Sequence, residues 1–270
     1  MGRVAGKVAL VTGAARGQGR SHAIRLAQEG ADIIAVDLCA PVPGVAYEAA
    51  TPEDLAQTAK EVEALDRRIL IRQADTRDRA ALTEAIDAGV AEFGKLDIVV
   101  ANAGICIIAE WDDVTPDVWR DTIDINLTGT WNTAQLAAPH LISNGGGSMI
   151  LTSSVAGLKG LPFLTPYVAS KHGITGLTRA LAHELAEHHI RVNSLHPTGV
   201  NTPMGTGAGV AAFGDALAAH PSLGALFANS LPVPITEPID QSNAVLFLAS
   251  DESRYVTALA LTVDAGNSQY

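Results

Sequence analysis

The feature that most constrains this chain is an alternation of short apolar runs with longer amphipathic stretches, carried from end to end. The runs, rich in Val and Ile, cover residues 8–11, 32–36, 69–73, 98–101, 149–152, 191–195 and 259–263. Between them, helical periodicity covers 19–28, 52–64, 79–93, 116–142, 166–187 and 238–248. Near-continuous apolar strands are those buried on both faces, and helices between strands are crossovers joining parallel neighbours. Such crossovers are right-handed. The expectation is an α/β chain: a single-domain Rossmann fold, with a doubly wound parallel sheet of about seven strands and helices on both faces.

Two segments break the rhythm, and both are too long to be simple connections. Residues 38–51 (LCAPVPGVAYEAAT) form an insertion after the second run, and 202–237 separate the sixth run from the last helix, with a short helix expected near 214–219. Loops of this length in a compact α/β chain usually carry function. Neither a repeat nor a linker divides residues 1–270, which predicts one domain.

Composition narrows the partners. A formal charge of −11, with no basic run interleaved with aromatics, argues against nucleic acid and anionic membrane surfaces. No apolar run reaches membrane-spanning length, no secretory pattern is present, and Gly6 stands where a myristoylation signal needs Ser or Thr. The two cysteines, Cys39 and Cys106, form no CxxC motif, so a reducing cytoplasm is expected. No metal site is expected either. In HELAEHH the second metal-ligand position is Glu187, and His188 lies off the helix face. GGGSM lacks the G-x-S-x-G pattern of a hydrolase elbow.

The stretch VTGAARGQGRSHA places Gly13, Gly17 and Gly19 between the first strand and the first helix. Glycines alone fit any tight turn, but a helix N-terminus after a strand is also where a pyrophosphate binds. Asp37 ends the second strand, 18 residues after Gly19, where a carboxylate can meet ribose hydroxyls. In YVASK, Tyr167 and Lys171 are i and i+4 on a helix that Pro166 opens. Ser154 ends the fifth strand thirteen residues before Tyr167, Asn126 lies in INLTGT, and ANAG (101–104) ends the fourth strand.

In this order, the G-x-x-x-G-x-G loop, ANAG, Asn126, Ser154 and YVASK resemble the short-chain dehydrogenase/reductase family over nearly the whole chain. The resemblance implies hydride transfer between a secondary alcohol and a nicotinamide cofactor, with catalytic Asn126, Ser154, Tyr167 and Lys171. Tyr167 would be the acid/base. Its ordinary pKa is near 10, so the Lys171 ammonium is expected to favour the phenolate. Ser154 would polarise the substrate oxygen, with Ser153 facing away, and Asn126 would hold a water leading from Lys171 to solvent.

The implied cofactor contacts are Gly13, Gly17, Gln18 and Gly19 at the phosphates, Arg16 at the margin of the same loop, and Asp37 and Leu38 at the adenosine ribose. Asp75 and Thr76 would flank the adenine, with Asn102, Ala103 and Gly104 along the ribose side. Tyr167 and Lys171 would meet the nicotinamide ribose, and Pro197, Val200 and Thr202 its amide, although Thr198 replaces the glycine usual after Pro197. In the family a basic residue at the position of Arg16 often meets the 2′-phosphate of NADP. Asp37 would repel that phosphate and no Lys or Arg follows it before Lys60, so NAD is expected, with Arg16 in solvent or beside the adenine.

Gln18, His22, VDLCAP and the 38–51 insertion resemble the mycofactocin-coupled, carveol-dehydrogenase-like branch. That resemblance implies NAD retained beside the insertion, electrons passed to a peptide-derived redox carrier, and a homotetramer. Apolar segments GICIIAEW, VAGLKGLPFL and 205–231 favour a small hydrophobic secondary alcohol of terpene- or sterol-like character. The alternatives are an NADPH-dependent 3-ketoacyl-type reductase and a non-catalytic NAD-binding redox sensor.

Overall fold

A computed structural model describes residues 2–269. Seven strands form one sheet: β1 (Val8–Thr12), β2 (Asp32–Asp37), β3 (Ile69–Gln73), β4 (Ile98–Ala101), β5 (Gly147–Thr152), β6 (Ile190–Pro197) and β7 (Ala260–Val263). Their order is β3-β2-β1-β4-β5-β6-β7 and every pairing is parallel, as the apolar runs predict. β1 pairs Ala9 with Ile33 on one side and with Ile98 on the other. The chain therefore leaves β1 and β4 in opposite directions, and a crevice opens at their carboxyl ends.

Alternate residues feed two apolar layers. Ala9, Val11, Ile33, Ala35 and Val100 face α1 (Gly17–Gln28), α2 (Pro52–Glu63) and, further along the chain, the helix at Pro238–Ala249. Val8, Leu10, Ile34, Val36 and Val99 face the layer of α3 (Arg79–Phe93) and the helices at Gly129–Ser143 and Thr165–Glu184. Over the central strands both faces are dry, which is why those strands read as near-continuous apolar runs; the edge strands β3 and β7 are half-buried. Local chemistry fixes the ends of α2 and α3. Thr51 and Asp54 form a capping box on α2, Asp78 caps α3, and Gly94 closes α3 in the left-handed region at φ 82°.

The structure departs from the expected helices in three places. The stretch 116–142 is not one α-helix: α4 (Pro116–Ile123) passes through a π turn, Asp124–Thr128, into α5 (Gly129–Ser143). There Gly129 N–H reaches back to Asp124 O. The one-residue surplus leaves hydrophobic periodicity nearly unchanged and so escapes a pattern reading. The helix expected to 187 ends earlier, as α6 (Thr165–Glu184), and tightens into a 3₁₀ turn at Ala186–His188. The short helix near 214–219 is longer, α7 (Ala208–Ala219), followed by a 3₁₀ segment, Pro221–Phe227, before α8 (Pro238–Ala249).

Candidate active site

The glycine loop is shaped by close approach. Gly13 has φ +67°, and a Cβ there would lie 2.9 Å from Ala103 Cα. A Cβ on Gly19 would lie 1.9 Å from the Gly13 carbonyl oxygen, so the first turn of α1 presses directly on the loop. Thr12 Oγ1 accepts the backbone N–H groups of Asn102 and Ala103 (3.0 and 3.1 Å), and Asn102 Nδ2 donates to Thr12 O (3.1 Å). The ends of β1 and β4 are thereby locked together. Unlike α2 and α3, α1 has no side-chain cap at its N-cap residue, Arg16. Its first N–H groups face the crevice unclaimed by any cap, which suits an anion.

An open cleft of about 1130 Å³ runs from this loop. Gly13, Arg16, Gly17, Gln18, Asp37, Leu38, Asp75, Thr76, Asn102, Ala103, Gly104 and Thr202 all line it. Five expected contacts do not: Tyr167 and Lys171, which lie beyond Gly104, and Gly19, Val200 and Pro197. Gly19 is packed against Gly13, Val200 is buried beside a bridge to Thr236, and Pro197 ends β6 with its carbonyl toward Ser154 Oγ (3.4 Å). Asp37 accepts from Ala15 N (3.0 Å) and Cys39 N (2.9 Å), one bond per oxygen, leaving lone pairs for a diol. The second bond draws Cys39 into the left-handed region at φ 50°. At Asp75, burial opposes ionisation, but the Arg77 side chain and backbone N–H outweigh it and hold the carboxyl below its usual range.

Arg16 adds to the sequence expectation. It lines the cleft beside Asp37, donates to the Glu48 carbonyl in an exposed hydrogen bond and lies 6.0 Å from the centre of the Tyr47 ring, a tie to the insertion that the sequence did not suggest. The insertion is thus a wall of the cleft, contributing Pro41, Val42, Val45 and Tyr47 to its lining. Tyr47 reaches the far side, where its hydroxyl accepts Cys106 N–H (3.3 Å). Burial pushes its phenol up to about 12.

Beyond Gly104, where a Cβ would lie 3.7 Å from Lys171 Nζ, α6 brings Tyr167, Ser170 and Lys171 onto one face. Lys171 is 3 % exposed, its Nζ donates to Thr152 O (2.7 Å), and it sits 5.4 Å from the Tyr167 ring centre. Burial lowers its pKa to about 8. Burial also raises the Tyr167 phenol above its ordinary value, opposed by the Ser154 hydroxyl beside it. That is a correction, since desolvation outweighs the phenolate stabilisation expected from Lys171.

Ser154 Oγ accepts Ala156 N–H (3.1 Å), whereas Ser153 Oγ turns into the protein and donates to Lys171 O (2.9 Å). β5 ends at Thr152, so Ser154 lies just past the strand rather than ending it, but the extended backbone continues there and still turns the two serines to opposite sides, as expected. Asn126, carried in the π turn, accepts Ile105 N–H (2.8 Å) and donates to Ile105 O (2.9 Å) and Ser170 Oγ (3.1 Å). Both its donors are used, which leaves one Oδ1 lone pair for a water.

Sequence reasoning missed His196. Its Nδ1 donates to Ser154 O (2.7 Å) and its Nε2 accepts from Ser194 Oγ (2.8 Å), fixing the tautomer. Burial lowers its pKa to about 4, so it holds the Ser154 backbone as a neutral ring. HPTGVNTP carried the signal, but that segment points to the cofactor rather than to Ser154. Thr198, where glycine is usual, donates to Asn229 Oδ1 (3.2 Å) in the segment that covers the site.

The sequence profile of the family described as short chain dehydrogenase matches residues 7–210. A (-)-trans-carveol dehydrogenase from Rhodococcus erythropolis is 50% identical over 275 residues, covering 99% of each chain. A short chain dehydrogenase from Mycobacterium paratuberculosis, crystallised bound to NAD, superposes with TM-score 0.98 at 54% identity, covering 100% of both chains. A carveol dehydrogenase from Mycobacterium avium in complex with NAD superposes with TM-score 0.94 at 52% identity, again over 100% of both.

Proposed function

Because the chain belongs to the short-chain dehydrogenase family, we propose that it interconverts a small hydrophobic secondary alcohol, carveol- or terpene-like, and its ketone by hydride transfer with NAD. The observation that carries the reading is a cleft lined by the glycine loop and the diol-ready carboxylate of Asp37, with Ser154, Tyr167 and Lys171 gathered just beyond its Gly104 edge, where a Cβ on Gly104 would lie 3.7 Å from Lys171 Nζ. The uncapped α1 terminus and the tight glycine loop fit a dinucleotide pyrophosphate between them.

NAD bound in the cleft supplies the hydride acceptor for oxidation. The chain's own residues handle the proton. Ser154 donates a hydrogen bond to the substrate oxygen and holds it near Tyr167. The Tyr167 hydroxyl takes the alcohol proton as the hydride leaves carbon, and returns it in the ketone direction. The Lys171 ammonium stabilises the phenolate and is positioned by Thr152 O. Asn126, held rigid by Ile105 and Ser170, offers its remaining lone pair to a water on the path from Lys171.

An apolar wall supports the substrate class. Val155, Ala156, Leu161 and Leu164 pack with Cys106, Ile108, Tyr167, Val168 and Phe227, an apolar cluster that includes the reacting tyrosine, with Lys171 5.4 Å from its ring centre. The relatives named as carveol dehydrogenases support it independently. Asp37 disfavours the NADPH-dependent ketoacyl alternative. The reading includes a homotetramer, supported by exposed Trp119 on α4 and Ile142 on α5, and a peptide-derived redox carrier as electron partner. It also includes a cytoplasmic setting, in keeping with the free thiols of Cys39 and Cys106.

One preparation tests cofactor and activity together. Purified protein is denatured, the released nucleotide is identified, and a panel of alcohols is then assayed with wild type and Tyr167→Phe. NAD(H) is expected, with carveol-like alcohols preferred and turnover lost in Tyr167→Phe while nucleotide binding persists. Released NADP(H), preference for sugar or charged alcohols, or undiminished Tyr167→Phe turnover would each sink the corresponding part.

A further inference from the structure

Three arginines stand around the adenosine end of the cleft, and each is fastened to the protein. Arg20 donates to Ala15 O and Thr58 Oγ1 (both 3.0 Å) and forms an ion pair with Asp54 (3.5 Å). Arg77 closes on Asp75 (2.7 Å) and Asp121 (3.3 Å). Arg16 is held differently, by two neutral partners in the insertion: the Glu48 carbonyl and the Tyr47 ring. Tyr47 is itself anchored, through its hydroxyl, to Cys106 N–H across the cleft. The clasp therefore runs from the glycine loop, through the insertion, to the loop behind Tyr167.

Its position bears on one chemical group. Asp37 Oδ2 accepts the N–H of Ala15, the residue next to Arg16. A ribose held by Asp37 lies beside Arg16, and so would any phosphate on its 2′ oxygen. A free guanidinium there would form charge-assisted bonds with that dianion, offsetting the repulsion from Asp37.

We propose that the insertion sets cofactor selectivity by withholding Arg16: Tyr47 and Glu48 keep the guanidinium away from the ribose. A 2′-phosphate is then rejected twice, by the Asp37 carboxylate and by the absence of an available cation. This rests on the reading of the cleft as an NAD site, and it assigns Tyr47 as a specificity-determining residue although it touches neither phosphate nor reacting carbon. The two contributions are coupled. Removing Asp37 alone eliminates repulsion without supplying attraction, because Arg16 remains clasped.

The test is equilibrium titration with NADH and with NADPH, read by emission of the bound nicotinamide, on a mutant cycle. Asp37→Ser is expected to weaken NADH binding and to improve NADPH binding by less than about threefold. Adding Tyr47→Leu should improve NADPH binding by a further tenfold or so, the scale of a charge-assisted bond. Adding Arg16→Ala should abolish that gain. Tyr47→Phe, which keeps the ring under Arg16 and loses only the bond to Cys106, should leave NADPH affinity at the Asp37→Ser level. Tyr47→Met replaces the leucine variant if that protein melts below assay temperature.

The proposal is overturned if Asp37→Ser alone binds NADPH as tightly as the double variant. It is also overturned if the gain survives Arg16→Ala. Wild type that binds NADPH as tightly as NADH would instead overturn the cofactor reading beneath it, a result separate from anything in the mutant cycle.

Discussion

Truncating Asn126 is the sharpest probe of how the candidate site is held. The side chain is fully buried and makes three hydrogen bonds, accepting Ile105 N–H (2.8 Å) and donating to Ile105 O (2.9 Å) and Ser170 Oγ (3.1 Å). Asn126→Ala strands both backbone groups of Ile105, itself 7 % exposed. Ser170 loses less, because its hydroxyl still donates to Tyr167 O (2.7 Å). A buried donor or acceptor left unpaired costs about 1–3 kcal/mol, so the two at Ile105 give a loss of about 2–6 kcal/mol. At about 2–4 °C per kcal/mol for a chain of this size, the melting midpoint should fall by about 4–24 °C. Calorimetry measures this directly. Asn126→Asp keeps the acceptor for Ile105 N–H, loses both donors and buries a carboxylate, so it should be destabilised as well. The same substitution should lower kcat more than it raises KM. A Cβ on Gly104 would lie 3.1 Å from Asn126 Oδ1 and 3.7 Å from Lys171 Nζ, so the amide and the ammonium converge on one point of the loop. If Asn126→Ala melts within about 2 °C of wild type, Ile105 finds other partners and the clamp is not what holds this loop.

Acid should destabilise the fold through two buried histidines. Burial lowers His22 to about 3 and His196 to about 4, so both stay neutral in the fold but protonate in the unfolded chain below about 6.5. Stability should therefore fall by about 2 kcal/mol per histidine between pH 7 and pH 5, and His22→Gln should remove half of that slope in urea titrations. Lys171 acts in the alkaline range. It is folded at about 8 against 10.5 unfolded, so the unfolded chain holds more protons in that window and stability rises with pH. The rise from pH 8 to 9.5 is about 1.5 kcal/mol, and Lys171→Met should flatten it. Gly19→Ala would put a Cβ 1.9 Å from Gly13 O, so nucleotide binding should fall at least tenfold while circular dichroism still reports the sheet. Retained nucleotide affinity would show that the loop can move aside.

What was legible in the sequence follows from which contacts leave a periodic trace. β1, β2 and β4 to β6 are buried on both faces, so their apolar runs mark them almost to the residue, while β3, at the sheet edge, is only half-buried and ends on exposed Arg72 and Gln73. Strand alternation likewise separates Ser154 from Ser153, and helical spacing joins Tyr167 to Lys171. The π turn at Asp124–Thr128 leaves no such trace, although it carries Asn126. The tie of Arg16 to the insertion was not legible because its acceptor is a main-chain carbonyl 32 residues away, which no side-chain pattern marks. His196 was overlooked for a related reason: it acts on the Ser154 carbonyl, from a neighbouring strand.

Protonation was the least legible property, and Tyr167 with Lys171 shows why. Their spacing places an ammonium beside a phenol, and Coulomb attraction alone predicts a lowered tyrosine pKa. Spacing says nothing of depth. At 3 % exposure the desolvation of Lys171 is large enough to bring its own pKa to about 8, and the same burial moves Tyr167 upward. Burial thus drives both groups toward their neutral forms. A cation that loses hydration gains strength toward any anion formed beside it, so Lys171 acts chiefly once the alcohol proton begins to move. The pair then contributes more to the transition state than to the resting ionisation of Tyr167. On this argument Lys171→Met should lower kcat sharply while barely moving the resting phenol titration followed by ultraviolet absorbance. A large upward shift of that titration in Lys171→Met would instead restore the simpler picture of a tyrosine lowered by its lysine.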